Sequence, residues 1–205
     1  MILAFDTCGP VLGVAAGDSA ADAAVRTERV TRGGETRLVP WAMELADFEA
    51  VRAIAVAVGP GAFTGLRVGL STAQGLAEAL QVPLYGFGSL QSRGNWAHAD
   101  LAVLDARKGR VYAGWRADGY TPVDLAPEAV LASVDTTFTV VGEGAIAYQE
   151  QFEAAGGRLV DRADHPGVEA LIDLARARLG EPGDPAAVQP LYVRAPDAKP
   201  PRTGV

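Results

Sequence analysis

Gly59-Pro-Gly-Ala-Phe-Thr-Gly-Leu-Arg-Val-Gly69 is the stretch on which the fold turns. It leaves the apolar run Ala53-Ile-Ala-Val-Ala-Val58 and enters a segment, 64–80, whose apolar residues recur at helical spacing. A continuous apolar run without alternation fits a strand buried on both faces of a parallel sheet. Val82-Pro83 ends the helix and Leu84–Phe87 is the next short strand. Strand, helix and strand make a βαβ unit, for which a right-handed crossover is expected.

Upstream, Met1–Phe5 and Val11–Ala16 are two strand candidates joined by a turn containing Asp6-Thr7, and Val25–Val30 is a third. Glu35–Phe48 has a helical pattern, with Pro40 either in its first turn or at a kink. Downstream the outline repeats. Leu90–His98 is helical, and 101–105 and 110–116 are strands around the turn Ala106-Arg-Lys-Gly109. Pro122 to Val134 is irregular with a short helix near its end, and Phe138–Val141 is a strand. Ala145–Ala155 is helical, Arg158–Val160 is a strand candidate, and Val168–Leu179 is an amphipathic helix. Pro190-Leu-Tyr-Val-Arg194 is a short extended segment before a polar, Pro-rich tail. The 205 residues are enough for two lobes. The expected division is 1–96 for a first lobe and 97–205 for a smaller, degenerate second lobe whose tail returns to the first. The fold class is α/β, with mixed sheets and flanking helices.

Composition narrows the function. The formal net charge is -7, and only Lys108 and Lys199 are lysines. Strong direct binding to nucleic acid draws on many basic side chains, so it is not expected of this chain alone. No apolar run reaches the length of a membrane span. Phe5-Asp6-Thr7 interrupts the first apolar run and no basic region precedes it, so no signal peptide is expected. A lone cysteine, Cys8, fits a reducing cytoplasm and reads as a small buried side chain.

The glycine-rich joint has a sharper and a plainer reading. A helix N-terminus with nearby glycines suits a phosphate. Gly59, Gly61 and Thr64 would then form a residual nucleotide loop together with the acids Asp6 and Asp105 and with Thr7. No Gly-Lys-Ser/Thr follows, so it is not a Walker A loop. The plainer reading is a tight joint packing helix on sheet, with Thr64 capping the helix and both acids in Asx-type turns. Gly65, Gly69, Ala73 and Ala77 recur every four residues as a small-residue ridge that lets another helix approach, either the apolar helix 35–48 or a partner. With Leu66 on the same helix and Leu38, Val39, Trp41, Ala42 and Leu45 on helix 35–48, they form the expected partner or dimer interface. His98 and His165, the only histidines, are in no ligand spacing and read as surface or loop residues. No nucleophile motif is present, and neither a catalytic residue nor a metal site is assigned.

Five blocks together resemble one family: Leu3-Ala-Phe-Asp-Thr7, Glu35-Thr-Arg-Leu-Val-Pro40, Gly59 to Gly69, Asp105-Ala-Arg-Lys-Gly109 and Pro190-Leu-Tyr-Val-Arg194. In type, order and spacing they are similar to the TsaB (YeaZ-like) proteins, relatives of TsaD, over nearly the whole chain. Glu35 stands where many of those relatives carry His or Ser. The resemblance implies an actin/Hsp70/sugar-kinase-like (ribonuclease H-like) fold. It also implies a non-catalytic role in making threonylcarbamoyladenosine at position 37 of tRNAs that read codons beginning with A. TsaD would be the catalytic partner, TsaE would join with ATPase activity, and tRNA would be met only through the complex. A homodimer would use the same first-lobe helices. Weak ATP or ADP binding in the complex is left open. An independent nucleotide-binding or phosphotransfer enzyme of the same fold is the alternative. The glycoprotease label carried by relatives finds no support in these residues.

Overall fold

A computed structural model describes residues 1–194 apart from 32, 133 and 135, and the Pro-rich tail lies outside the described residues. The first sheet contains β1 (Ile2–Asp6), β2 (Val11–Gly17), β3 (Ala24–Arg29), β4 (Ala53–Gly59) and β5 (Leu84–Gly88) in the order β3-β2-β1-β4-β5. The second contains β6 (Leu101–Arg107), β7 (Arg110–Trp115), β8 (Val123–Leu125), β9 (Phe138–Val141) and β10 (Gly157–Leu159) in the order β10-β9-β6-β7-β8. Each sheet is an antiparallel three-strand meander followed by two parallel strands on the side of its first strand. The two halves therefore repeat one topology. Strand β8 falls in a stretch expected to be irregular. With three residues, none of them buried, it carries too little pattern to read.

Residue size along the strands sets the layers. On β1 and β4, Leu3, Phe5, Ile54 and Val56 face one way; Ile2, Ala4, Ala53, Ala55 and Ala57 face the other. The first face packs under α1 (Glu35–Leu45) and α2 (Phe63–Leu80). The second packs against α7 (Val168–Arg176), whose Val168, Leu171, Ile172 and Ala175 sit on the sheet. The alanines on that face let α7 approach closely. Thus 168–176, though late in the chain, belongs to the core of the first sheet. The second sheet is covered on one face by α4 (Pro127–Leu131), α5 (Glu143–Ala147) and α6 (Gln149–Ala154). Its other face meets Leu90 and Trp96 of α3 (Ser89–Ala97), and α3 also packs on α7. The expected helix 145–155 is two helices divided at Tyr148, and helix 35–48 stops at Leu45.

The small-residue ridge on α2 faces the chain's own core and not a partner. Leu66, Gly69, Ala73 and Ala77 are all buried. A Cβ added at Gly65 would stand 2.1 Å from Thr7 O, and one at Gly69 would stand 2.1 Å from Thr7 Oγ1. The glycines therefore seat α2 on the β1–β2 turn. Leu38 and Ala42 are likewise fully buried beneath α1, while Trp41 and Leu45 are half-buried against the same core. Of the ten residues expected at an interface, Val39 alone is exposed, at 39%. The neighbouring Met43 is 67% exposed.

Candidate interlobe cleft and its buried ion pair

A cleft of about 990 Å³ opens between the β1–β2 turn, the start of α2 and the β6–β7 turn. Of the residues expected in a nucleotide loop it brings together Thr7, Gly61, Thr64 and Asp105, but neither Asp6 nor Gly59 lines it. Strand ends and hairpin turns converge here because both sheets present their first hairpin to the same space.

Asp6 lies behind the cleft, excluded from solvent. Its Oδ1 accepts from Cys8 N at 2.8 Å, which is the Asx-type turn. Its Oδ2 accepts from Arg93 Nη1 at 2.8 Å and from Ser92 Oγ at 3.5 Å. Arg93 on α3 is 1% exposed, and its Nη1 also donates to Ser89 O at 3.0 Å. Glu143, at the start of α5, approaches from the second sheet. A Cβ at Gly9 would stand 3.0 Å from Arg93 Nη2 and 3.2 Å from Glu143 Oε1, so Gly9 is held between them. Burial pushes the Glu143 carboxyl up, against the pull of Arg93. Arg93 Nε and Glu143 Oε2 are buried without a hydrogen-bond partner among the described residues.

Asp105 also closes an Asx-type turn. Its Oδ1 accepts from Arg107 N at 2.8 Å, and its Oδ2 pairs with Arg107 Nη1 at 3.1 Å. Thr64 does not cap α2. The N-cap is Ala62, and Thr64 is the exposed second residue of the helix. Gly59 has φ +119°, and a Cβ there would stand 2.6 Å from Leu191 O; one at Gly61 would stand 2.3 Å from Cys8 O. These glycines admit other backbone closely. Ala62 N donates to Cys8 O at 2.8 Å, joining the two loops directly.

Cys8 is buried, as expected, and burial followed by Asp6 pushes its thiol well above the ordinary range. His165 lies in a loop, as expected, but not at the surface. It is 3% exposed, stacked on Trp96 with ring centroids 4.2 Å apart, and its Nδ1 accepts from Gly167 N at 3.1 Å. Burial, with Arg162 and Arg93 adding to it, lowers its pKa to about 4. The sequence reading missed Arg93, Ser92 and Glu143. A helix that buries Ser89, Ser92 and Arg93 has no apolar stripe to reveal its inward face. Among the described residues no group of three His, Cys, Asp or Glu is placed to hold a metal, and no helix is long and apolar enough to cross a membrane.

The family model described as TsaD, tRNA N6-adenosine threonylcarbamoyltransferase, matches residues 36–177. An uncharacterized protein of Mycobacterium tuberculosis is 36% identical over 180 residues, 87% of this chain and 80% of that one. The tRNA threonylcarbamoyladenosine biosynthesis protein TsaB of Escherichia coli is 31% identical over 166 residues, 70% of this chain and 71% of its own length. The solved structure of YeaZ from Pseudomonas aeruginosa superposes with TM-score 0.72 at 29% identity, covering 93% of this chain and 98% of that one. The ethanolamine utilization protein EutJ of Carboxydothermus hydrogenoformans shares the fold at TM-score 0.50 and 9% identity, covering 83% of this chain and 88% of that one. With its repeated meander-plus-parallel sheets the chain has the two-lobed actin/Hsp70/sugar-kinase-like fold, and it belongs to the TsaB (YeaZ-like) family, a relative of TsaD.

Proposed function

We propose that this chain is a non-catalytic scaffold subunit. It binds and supports TsaD, with TsaE, in forming N6-threonylcarbamoyladenosine at position 37 of ANN-decoding tRNAs, and it pairs with a second copy of itself when TsaD is absent. The observation that carries this reading is the outer face of α1 and α2. Val39 and Met43 are exposed on α1. On α2, Ser71, Gly75 and Ala79 form an exposed small-residue line. A Cβ at Gly75 would meet nothing within 4 Å, so a partner helix has room to approach closely there. This face replaces the inward residues first expected at the interface. The buried Asp6–Arg93 pair supports the non-catalytic part of the reading, since the acid that would serve a nucleotide is held by an internal cation. A net charge of -7 fits a subunit that meets tRNA only through the complex. Its place of action is then the cytoplasm.

Met43→Arg and Gly75→Leu change exposed positions and should leave the chain folded. Each should abolish co-purification with TsaD and self-association, and omission of the chain should abolish tRNA modification in a reconstituted mixture. Binding retained by both folded variants rejects the proposed face. The cleft of about 990 Å³ favours a second reading, an independent nucleotide-binding or phosphotransfer enzyme. Calorimetry with ATP on the chain alone separates the two, since tight binding with turnover belongs only to the second.

A further inference from the structure

Pro190-Leu-Tyr-Val-Arg194 forms neither helix nor strand, yet it is tied to both halves of the molecule. Leu191 N donates to Val58 O at 2.7 Å, at the end of β4. Tyr192 stacks on Phe63 with centroids 5.4 Å apart, and its hydroxyl accepts from Arg67 Nε at 3.0 Å. The Arg67 guanidinium lies 3.8 Å over the same Phe63 ring, closing a three-residue stack at the start of α2. Two residues on, Arg194 grips the second sheet. Its Nε and Nη2 donate to the two oxygens of Asp124 on β8 at 2.8 and 3.0 Å, and its Nη1 donates to Ala106 O at 3.1 Å. Asp124 also accepts from Arg110 Nε at 2.7 Å. The Asp124 side chain is 14% exposed and that of Arg194 is 23% exposed, so solvent screens the forked pair only in part.

The two anchors are only three residues apart. An extended chain of that length reaches about 10 Å. The end of β4 and the β6–β7 turn therefore cannot move beyond that reach at this mouth unless one anchor breaks. Leu191, Tyr192, Val193 and Arg194 all line the cleft. We infer that residues 190–194 are an intramolecular latch across one mouth of the interlobe cleft, with Arg194 as its releasable end and Asp124 as its keeper. Closed, the latch fixes the angle between the two sheets. Opened, it frees the β6–β7 turn and admits a larger ligand or a partner's loop.

The full chain, labelled with spin probes at Glu49→Cys and Glu128→Cys on exposed sites of the two halves, reports their separation, while buried Cys8 stays unlabelled. Amide exchange at Leu191 reports the first anchor. Arg194→Ala should speed that exchange by roughly 10–100-fold, the scale of a lost charge-assisted hydrogen bond, and should broaden the distance distribution. Arg194→Lys, which keeps the charge but not the fork, should fall between. Tyr192→Ser, which loosens the other end, should broaden the same distribution. An unchanged distribution in both Arg194→Ala and Tyr192→Ser overturns the latch, even if exchange at Leu191 rises. So does an equal rise in exchange across β1 and β4, which would report global destabilisation instead.

Discussion

The Asp6 carboxylate accepts a hydrogen bond from Arg93 Nη1 at 2.8 Å, with both side chains sealed from solvent. A buried pair is weak evidence for stability, but removing one member leaves an uncompensated charge. Asp6→Ala is therefore expected to destabilise the fold by about 3–5 kcal/mol, read as a shift in the urea midpoint. Replacing both, as Asp6→Leu with Arg93→Met, should cost less than Asp6→Ala alone. A double variant as unstable as the single one would count against an ion pair at this position.

Two glycines of α2 make a matched comparison. A Cβ at Gly69 would stand 2.1 Å from Thr7 Oγ1, whereas one at Gly75 would meet open space. Gly69→Ala should destabilise by about 1–3 kcal/mol through overpacking. Gly75→Ala should stabilise by about 0.5–1 kcal/mol, because alanine is the better helix former. Thermal unfolding of both variants gives the signs, and equal signs would contradict the inward seating of Gly69.

His165 predicts a dependence on pH. Its pKa is about 4 in the fold, against an ordinary value of 6.5. Between those values the unfolded chain holds the proton and the folded chain does not. The stability contributed by keeping this imidazole neutral is present in full above pH 6.5 and falls as pH drops toward 4, by up to about 3 kcal/mol. Protonation at Nδ1 would also cost the bond accepted from Gly167 N. Burial raises Glu169, the neighbour of His165, and that acts in the opposite sense. His165→Phe should flatten the acid limb of the stability curve, and Glu169→Gln should steepen it. Trp96 fluorescence follows both transitions, since the indole stacks on His165.

Cys8 should resist thiol reagents in the native state. The thiol is 1% exposed, and burial and the nearby Asp6 carboxylate both oppose the thiolate. Modification by a disulfide reagent should proceed only as fast as the chain opens, and in urea it should track unfolding. Rapid labelling of the folded protein would contradict the burial.

Much of the fold was legible because strand patterning and turn residues act locally. The run Ala53 to Val58, the Asp6 and Asp105 turns and the βαβ step each follow from a few adjacent residues, and each is present. The small-residue ridge was legible too, but not what it faces. Spacing of four places Gly65, Gly69, Ala73 and Ala77 on one side of a helix. It does not say whether that side meets a partner or the chain's own β1–β2 turn. Thr7 gives the answer through an approach that depends on residues 58 positions away in sequence.

The sequence alone determined the family, the α/β class and the composition that argues against direct nucleic-acid binding, because these rest on local order and residue type. Only the tertiary structure decided that Asp6 belongs to Arg93, that the glycine ridge is interior, that His165 is buried on Trp96, and that Pro190 to Arg194 ties one half to the other. Each of those pairs residues far apart in the chain. Such pairings are set by how sheets and helices pack, and helical or strand periodicity carries no record of them. The stretch Gly59 to Gly69 shows both sides: its residues announce a strand–loop–helix joint, and its neighbours alone make that joint the seat of α2 on the β1–β2 turn.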